Sequence, residues 1–184
     1  MYRRLRRRLT GIMLLLLATI DMGHAQPTEL RSALPSAMLA GNTRFEVLGF
    51  GVYEASLWVE PGFKADEYER HAFALELVYQ RDFTNEAITR RSIKEMQRQP
   101  GFPPAQLKPW QQALRSAFPD VHKGDRITGI HHPGEGAVFM TNGRQTGTIR
   151  DAEFSRLFFG IWLSVHTSEP RLREALLAGA ALPR

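Results

Sequence analysis

RITGIHHPGEGAVFMTNGRQTGTI, running from Arg126 to Ile149, reads as three short strands and the two turns that join them. Arg126 to His132 alternates enough apolar residues for a strand, and Pro133-Gly134-Glu135-Gly136 breaks it. Ala137 to Thr141 is the second strand. Asn142-Gly143 then offers the dipeptide that most readily takes positive φ at both central positions of a tight hairpin, so Arg144 to Ile149 returns antiparallel. Strands joined this closely can only be antiparallel neighbours, because a parallel pair needs a crossover of a dozen residues or so.

Working outward, Asp151 stands where a helix cap is needed. After it, Phe154, Leu157, Phe158, Ile161 and Trp162 repeat at helical spacing on one face. Ser168 is placed to cap a last helix carrying Leu172, Ala175 and Leu176, which Gly179 would end. Upstream, Leu107, Trp110, Leu114, Ala117 and Phe118 recur at helical spacing, with Pro109 marking either a start or a kink. Thr84 can cap a charged helix reaching about Gln99, with Glu86 in its first turn. Ala72 to Gln80 reads as a strand, with Phe73, Leu75, Leu77 and Tyr79 on one face. Phe45 to Glu60 reads as one long strand in mid-sheet, since both of its parities are rich in apolar residues, and Gln26 to Ala40 as a lead-in that ends in a short strand. The sum is an α+β fold, an antiparallel sheet with helices packed on it.

Met1 to Ala25 has the three parts of a secretory leader: five arginines by Arg8, an apolar run from Leu9 to Ile20, and Gly23-His24-Ala25 with small residues at the positions a signal peptidase reads. The apolar run is too short for a bilayer span, which needs about 20 residues. Cleavage after Ala25 is therefore expected, with residues 26–184 forming one domain in the periplasm and no membrane span left. Without the leader the chain keeps 19 basic and 18 acidic residues, so the high isoelectric point mostly reports the export tag. A nucleic-acid partner loses its electrostatic basis. Cysteine is absent, which excludes thiolate catalysis and thiolate metal sites.

His131-His132 does not make a metal pair, because neighbouring strand residues point to opposite faces. No nucleotide fingerprint or nucleophile elbow occurs, and no cofactor is called for. Tyr53, Phe158 and Trp162 read as core residues, and Arg90 and Arg91 as solvated charges on a surface helix.

Five segments in order carry a resemblance: AGNTRFEVLGFGVYEASLW (Ala40 to Trp58), FALELVYQRDF (Phe73 to Phe83), FPDVHKGDRITG (Phe118 to Gly129), MTNGRQTGTI (Met140 to Ile149) and FFGIWLSVHTSEPRLREALL (Phe158 to Leu177). With these, the chain resembles the chalcone isomerase-like family in its bacterial exported branch. The resemblance implies an open-faced β-sandwich, an antiparallel sheet with helices against one face and a cleft beside them.

Catalytic members of that family close a chalcone to a flavanone, stabilising an enolate with an arginine and several hydroxyl or amide donors. At the matching positions this chain has Leu48, Phe83, Arg90 and Leu157 in place of polar donors, and Arg44 as the counterpart of the arginine. Each lost donor of this kind costs about 2.7–4 kcal/mol of transition-state stabilisation. The resemblance therefore implies an apolar cleft with charge at its mouth. Its ligand would be small and apolar or amphipathic, a fatty-acid-like or aromatic carboxylate, bound through Arg44, Leu48, Phe83, Arg90 and Leu157. Two alternatives stay open: an isomerase or intramolecular lyase acting on an enone, and an envelope accessory protein whose cleft is vestigial. Converging hydroxyls from Tyr79, Thr84 or Thr148 would favour catalysis, and a filled cleft the accessory role.

Overall fold

The computed structural model describes residues 26–180, and the leader read at residues 1–25 lies outside them. Six strands form a single sheet in the order of the chain, every neighbouring pair antiparallel. They are β1 (Met38–Val47), β2 (Phe50–Val59), β3 (Phe73–Tyr79), β4 (Arg126–His132), β5 (Gly136–Thr141) and β6 (Arg144–Ile149). The helices are α1 (Thr28–Ala33), α2 (Asn85–Met96), α3 (Leu107–Ala117), α4 (Ala152–Leu163) and α5 (Pro170–Leu176). This is the α+β architecture expected from the chain, a six-stranded antiparallel sheet with helices against it.

The meander forms as its turn chemistry requires. Asn142 and Gly143 both take positive φ, 50° and 79°, and bring Thr141 opposite Arg144. Asp151 caps α4 by accepting the Phe154 backbone N–H at 2.9 Å, and its other oxygen takes the Trp110 indole N–H at 2.9 Å, tying α3 to the start of α4. Thr84 caps α2 through the Ala87 backbone N–H at 3.2 Å. Pro109 lies in the first turn of α3, where a missing N–H is harmless, so the helix begins there without a kink.

The main correction concerns Phe45 to Glu60. This segment is not one strand but the second half of a hairpin and its turn: β1 ends at Val47, Leu48 and Gly49 turn, and β2 begins at Phe50. Leu48 and Gly49 have φ of 53° and 79°, so the turn has the backbone of an Asn-Gly hairpin with a leucine where the asparagine belongs. That leucine hid the turn and made the run look continuous. Two smaller corrections fall near the C-terminus. Ser168 does not cap α5, whose boundary residue is Glu169 with Pro170 at the first helical position. Gly179 lies past the helix end and donates its backbone N–H to the Ala40 carbonyl.

The core lies between the sheet and α2–α5. Phe73, Phe139, Phe154, Leu157 and Phe159 are fully buried there, and the rings stack and cross at centroid distances such as 4.9 Å for Phe73–Phe159 and 5.0 Å for Phe118–Phe139. The opposite sheet face has its own small cluster, where Leu30 of α1 and Leu34 just past its end cover Trp58, Ala74 and Ile130. His131 is a satisfied core residue: it stacks on Phe73 at 4.9 Å, with Nε2 2.9 Å from the Glu69 carbonyl and Nδ1 2.7 Å from the Ser155 hydroxyl.

How the helices sit determines where space remains. α3 presses on β6 so closely that a Cβ at Gly147 would come within 2.4 Å of the Ala117 methyl. α4 packs against β5, and α5 against β1. α2 instead packs chiefly against α3 and α4, and so stands off the sheet over β1–β3. The gap beneath it is the cleft.

Candidate functional site

The cleft has a volume of about 380 Å³. Its sheet wall comes from Phe45 and Val47 of β1, Val52 and Tyr53 of β2, and Leu77 and Tyr79 of β3. Four rings run across this wall in sequence, Phe45–Tyr53 at 5.2 Å, Tyr53–Tyr79 at 6.1 Å and Tyr79–Phe83 at 5.7 Å. Phe118, Ile127, Phe158 and Trp162 close the base, while Ala87, Ile88 and Ser92 face it from α2. Phe83 is fixed by a two-way backbone bridge with Val121, each N–H donating at 2.9 Å, immediately before the Thr84 cap. The cavity and its walls are those of a site for an apolar small molecule.

The polar groups are few and sorted by depth. Inside, the Tyr53 hydroxyl accepts the Trp162 indole N–H at 3.0 Å. Burial pushes its pKa well above the ordinary phenol range, only partly opposed by that indole, and burial raises Tyr79 likewise. Both phenols therefore stay protonated at any physiological pH and keep an O–H to donate. Toward solvent stand Arg81, Arg91 and Glu169, while Glu95 is a buried carboxylate of the α2 wall. Arg91 is already paired, with Glu95 at 3.0 Å, and the same carboxylate lies 3.6 Å from Arg98. Arg81 is exposed and makes no ion pair among the described residues; its guanidinium lies over the Phe50 ring at 5.8 Å.

Of the five positions carried over from the family, the structure brings only Phe83 to the cleft. Leu48 is at the hairpin turn, 93% exposed. Leu157 is fully buried in the core beneath α4 and does not reach the cavity wall. Arg90 is exposed on the outer side of α2. Arg44 lies in a neighbouring recess with Phe50, Gly51, Gln80, Arg81 and Lys123, where it pairs with Glu46 at 3.1 Å. The hairpin turn explains the first displacement, because it takes Leu48 out of the sheet. Helical geometry explains Arg90. At about 100° per residue, Ala87, Ile88, Arg91, Ser92 and Glu95 share one face and Arg90 falls on another.

Arg81, Arg91 and Tyr79 are what a search for ligand groups by family position passes over. A helical wheel of α2 would have found Arg91, and Tyr79 was visible as a possible hydroxyl donor. Thr84 and Thr148 do not line the cleft. Arg81 had no signal beyond its place two residues past a strand end. Among the described residues no cluster of three His, Asp or Glu could hold a metal ion, and no helix is long and apolar enough to cross a membrane.

The fold and this cleft define a class, open-faced sheets with a ligand-sized space under the helices. The chain belongs to the chalcone isomerase-like family, whose model matches residues 36–178. Among solved structures, it is similar to a fatty-acid binding protein of Arabidopsis thaliana, at 13% identity and a TM-score of 0.63, over 79% of this chain and 89% of that one. No curated protein matches the sequence.

Proposed function

We propose that this is an exported, non-catalytic binding protein that holds a small amphipathic carboxylate, fatty-acid-like or aromatic, in the cleft. The observation that carries the reading is an aromatic-walled cavity of about 380 Å³ with an arginine, Arg81, at its edge and free of any acidic partner. An apolar tail gains about 0.8 kcal/mol per methylene buried. A carboxylate gains a charge-assisted hydrogen bond from a guanidinium, which Arg91 can supply only by displacing Glu95. Arg81 is the better anchor, and the protonated phenols can donate to any oxygen lying deeper. The similar Arabidopsis protein, described as binding fatty acids, supports the reading at the level of the family. The leader pattern read at residues 1–25 supports export to the periplasm.

The test is native mass spectrometry of the protein purified from expressing cells, followed by titration with oleate and with a flavanone. A bound carboxylic acid, or uptake of either compound, is the expected result. A protein that emerges empty and takes up neither ends the proposal. One observation favours a second reading. Tyr53 and Tyr79 place two phenol donors against an aromatic wall, which suits enolate stabilisation. Steady conversion of a chalcone, followed by loss of its visible absorbance, would turn the binder into an isomerase. The cavity is open, so the support that a filled cleft would have lent to an accessory role is missing.

A further inference from the structure

Large apolar side chains stand in water at four places among the described residues: Val47 at 48% exposure, Leu48 at 93%, Phe50 at 63% and Val165 at 72%. Three of these, Val47, Leu48 and Phe50, lie at one hairpin tip, in or flanking its two-residue turn. Leu48 is doubly unfavourable for a soluble protein, since its left-handed backbone disfavours a side chain with a Cβ and its side chain is almost wholly hydrated. Asparagine would make the same turn with neither penalty. Folding therefore does not account for the sequence of this tip.

Its surroundings do. Val47 and Val52, either side of the turn, line the cleft, so the tip is part of the cleft's rim. Val165 belongs to the link between α4 and α5, three residues before Ser168, which lines the same cavity. Beside the tip lies the recess built by Arg44, Phe50, Gly51, Gln80, Arg81 and Lys123. Two acids beside it are occupied: Glu46 pairs with Arg44, while Asp82 accepts the Lys123 backbone N–H at 2.8 Å and lies 3.4 Å from His122. The side chains of Arg81 and Lys123 make no ion pair among the described residues.

We infer that the β1–β2 tip is a membrane-docking element, which seats the rim of the cleft on an anionic lipid bilayer. Leu48 and Phe50 enter the acyl boundary while Arg81 and Lys123 lie at the level of the phosphates, the arrangement that interfacial anchors use. A second copy of the chain is a poor occupant. A hairpin tip offers far less than the roughly 1,600 Å² that a stable interface buries, and its cations would repel their own images. The inference rests in part on the proposed ligand, because a carrier of amphipathic acids must meet the phase in which they are dissolved.

The test is flotation with vesicles of equal parts phosphatidylethanolamine and phosphatidylglycerol, against vesicles of phosphatidylcholine alone. The protein should float with the anionic vesicles and be released by salt. The double variant L48N/F50S, whose asparagine suits the turn, should lose about tenfold or more in partitioning, as removal of two inserted apolar side chains requires. K123Q should lose about fivefold. Oleate binding in vesicle-free solution should be unchanged in K123Q and in the single variant L48N, because neither Lys123 nor Leu48 lines the cleft; F50S is left out of that control because the Arg81 guanidinium lies over the Phe50 ring. Failure of the wild-type protein to float, or flotation of L48N/F50S equal to wild type, overturns the inference. So does loss of a vesicle-free dimer by ultracentrifugation in L48N/F50S, which would make the tip a self-association contact. Vesicle binding that follows the tip in a protein that takes up no oleate supports docking and removes only the ligand proposal.

Discussion

At the scale of single residues, the site turns on which arginine is available. Arg90 and Arg91 are adjacent in the chain and opposite in consequence, one solvated on the outer side of α2 and the other at the cleft edge but held by Glu95. Arg81 has the cleft without the counter-charge. A hydrogen bond to a charged partner is worth about 1.5–3 kcal/mol, so R81Q should weaken oleate binding by roughly 10-fold to 150-fold in isothermal titration. R90Q should leave it unchanged. Equal effects from the two would mean that the carboxylate binds elsewhere. Phe83 was named from its family position alone, and the structure holds it at the cleft by the backbone bridge with Val121. The other four named that way do not reach it. Each rests on an alignment across the hairpin or along a helix, where one misplaced turn sends a side chain to another face.

At the scale of elements, the parts that were legible carry their own instructions. Asn142-Gly143 dictates a turn, Thr84 and Asp151 dictate helix starts, and the structure uses all three. The first hairpin was illegible because its turn residue works against its own backbone preference. How α4 meets the sheet was also invisible, since His131, Ser155 and the Glu69 carbonyl come together only in three dimensions. That junction predicts a pH response. A carbonyl can only accept, so Nε2 carries a proton toward Glu69, while Nδ1 lies 2.7 Å from the Ser155 hydroxyl, which donates to the Gly136 carbonyl at 3.0 Å. Burial holds the imidazole pKa below its ordinary 6.5, outweighing the Glu69 hydrogen bond that opposes it. The unfolded chain therefore takes up a proton before the folded one, and stability present above pH 6.5 is lost as pH falls from there toward the folded value. Melting temperature should drop across that interval, and H131Q should show a flatter profile on top of its own destabilisation. An unchanged slope in H131Q would assign the response to other groups.

At the scale of the whole molecule, charge and address belong together. The basic excess of the chain is concentrated in the first eight residues, ahead of an apolar run and a small-residue cleavage pattern. Protein recovered from the periplasm should begin at Gln26 on N-terminal sequencing; an intact Met1 or a cytoplasmic pool would remove export from the proposal. The contact between Ala117 and Gly147 has a consequence for the chamber as well. α2 rests chiefly on α3 and α4 rather than on the floor beneath it, as a shelf rests on brackets. Bulk added where α3 meets β6 would lift the bracket and widen the room, though no side chain touching the guest had changed. A lineage adapting to a longer or thicker guest thus has a way to resize its container from outside, leaving the interior surface as it was.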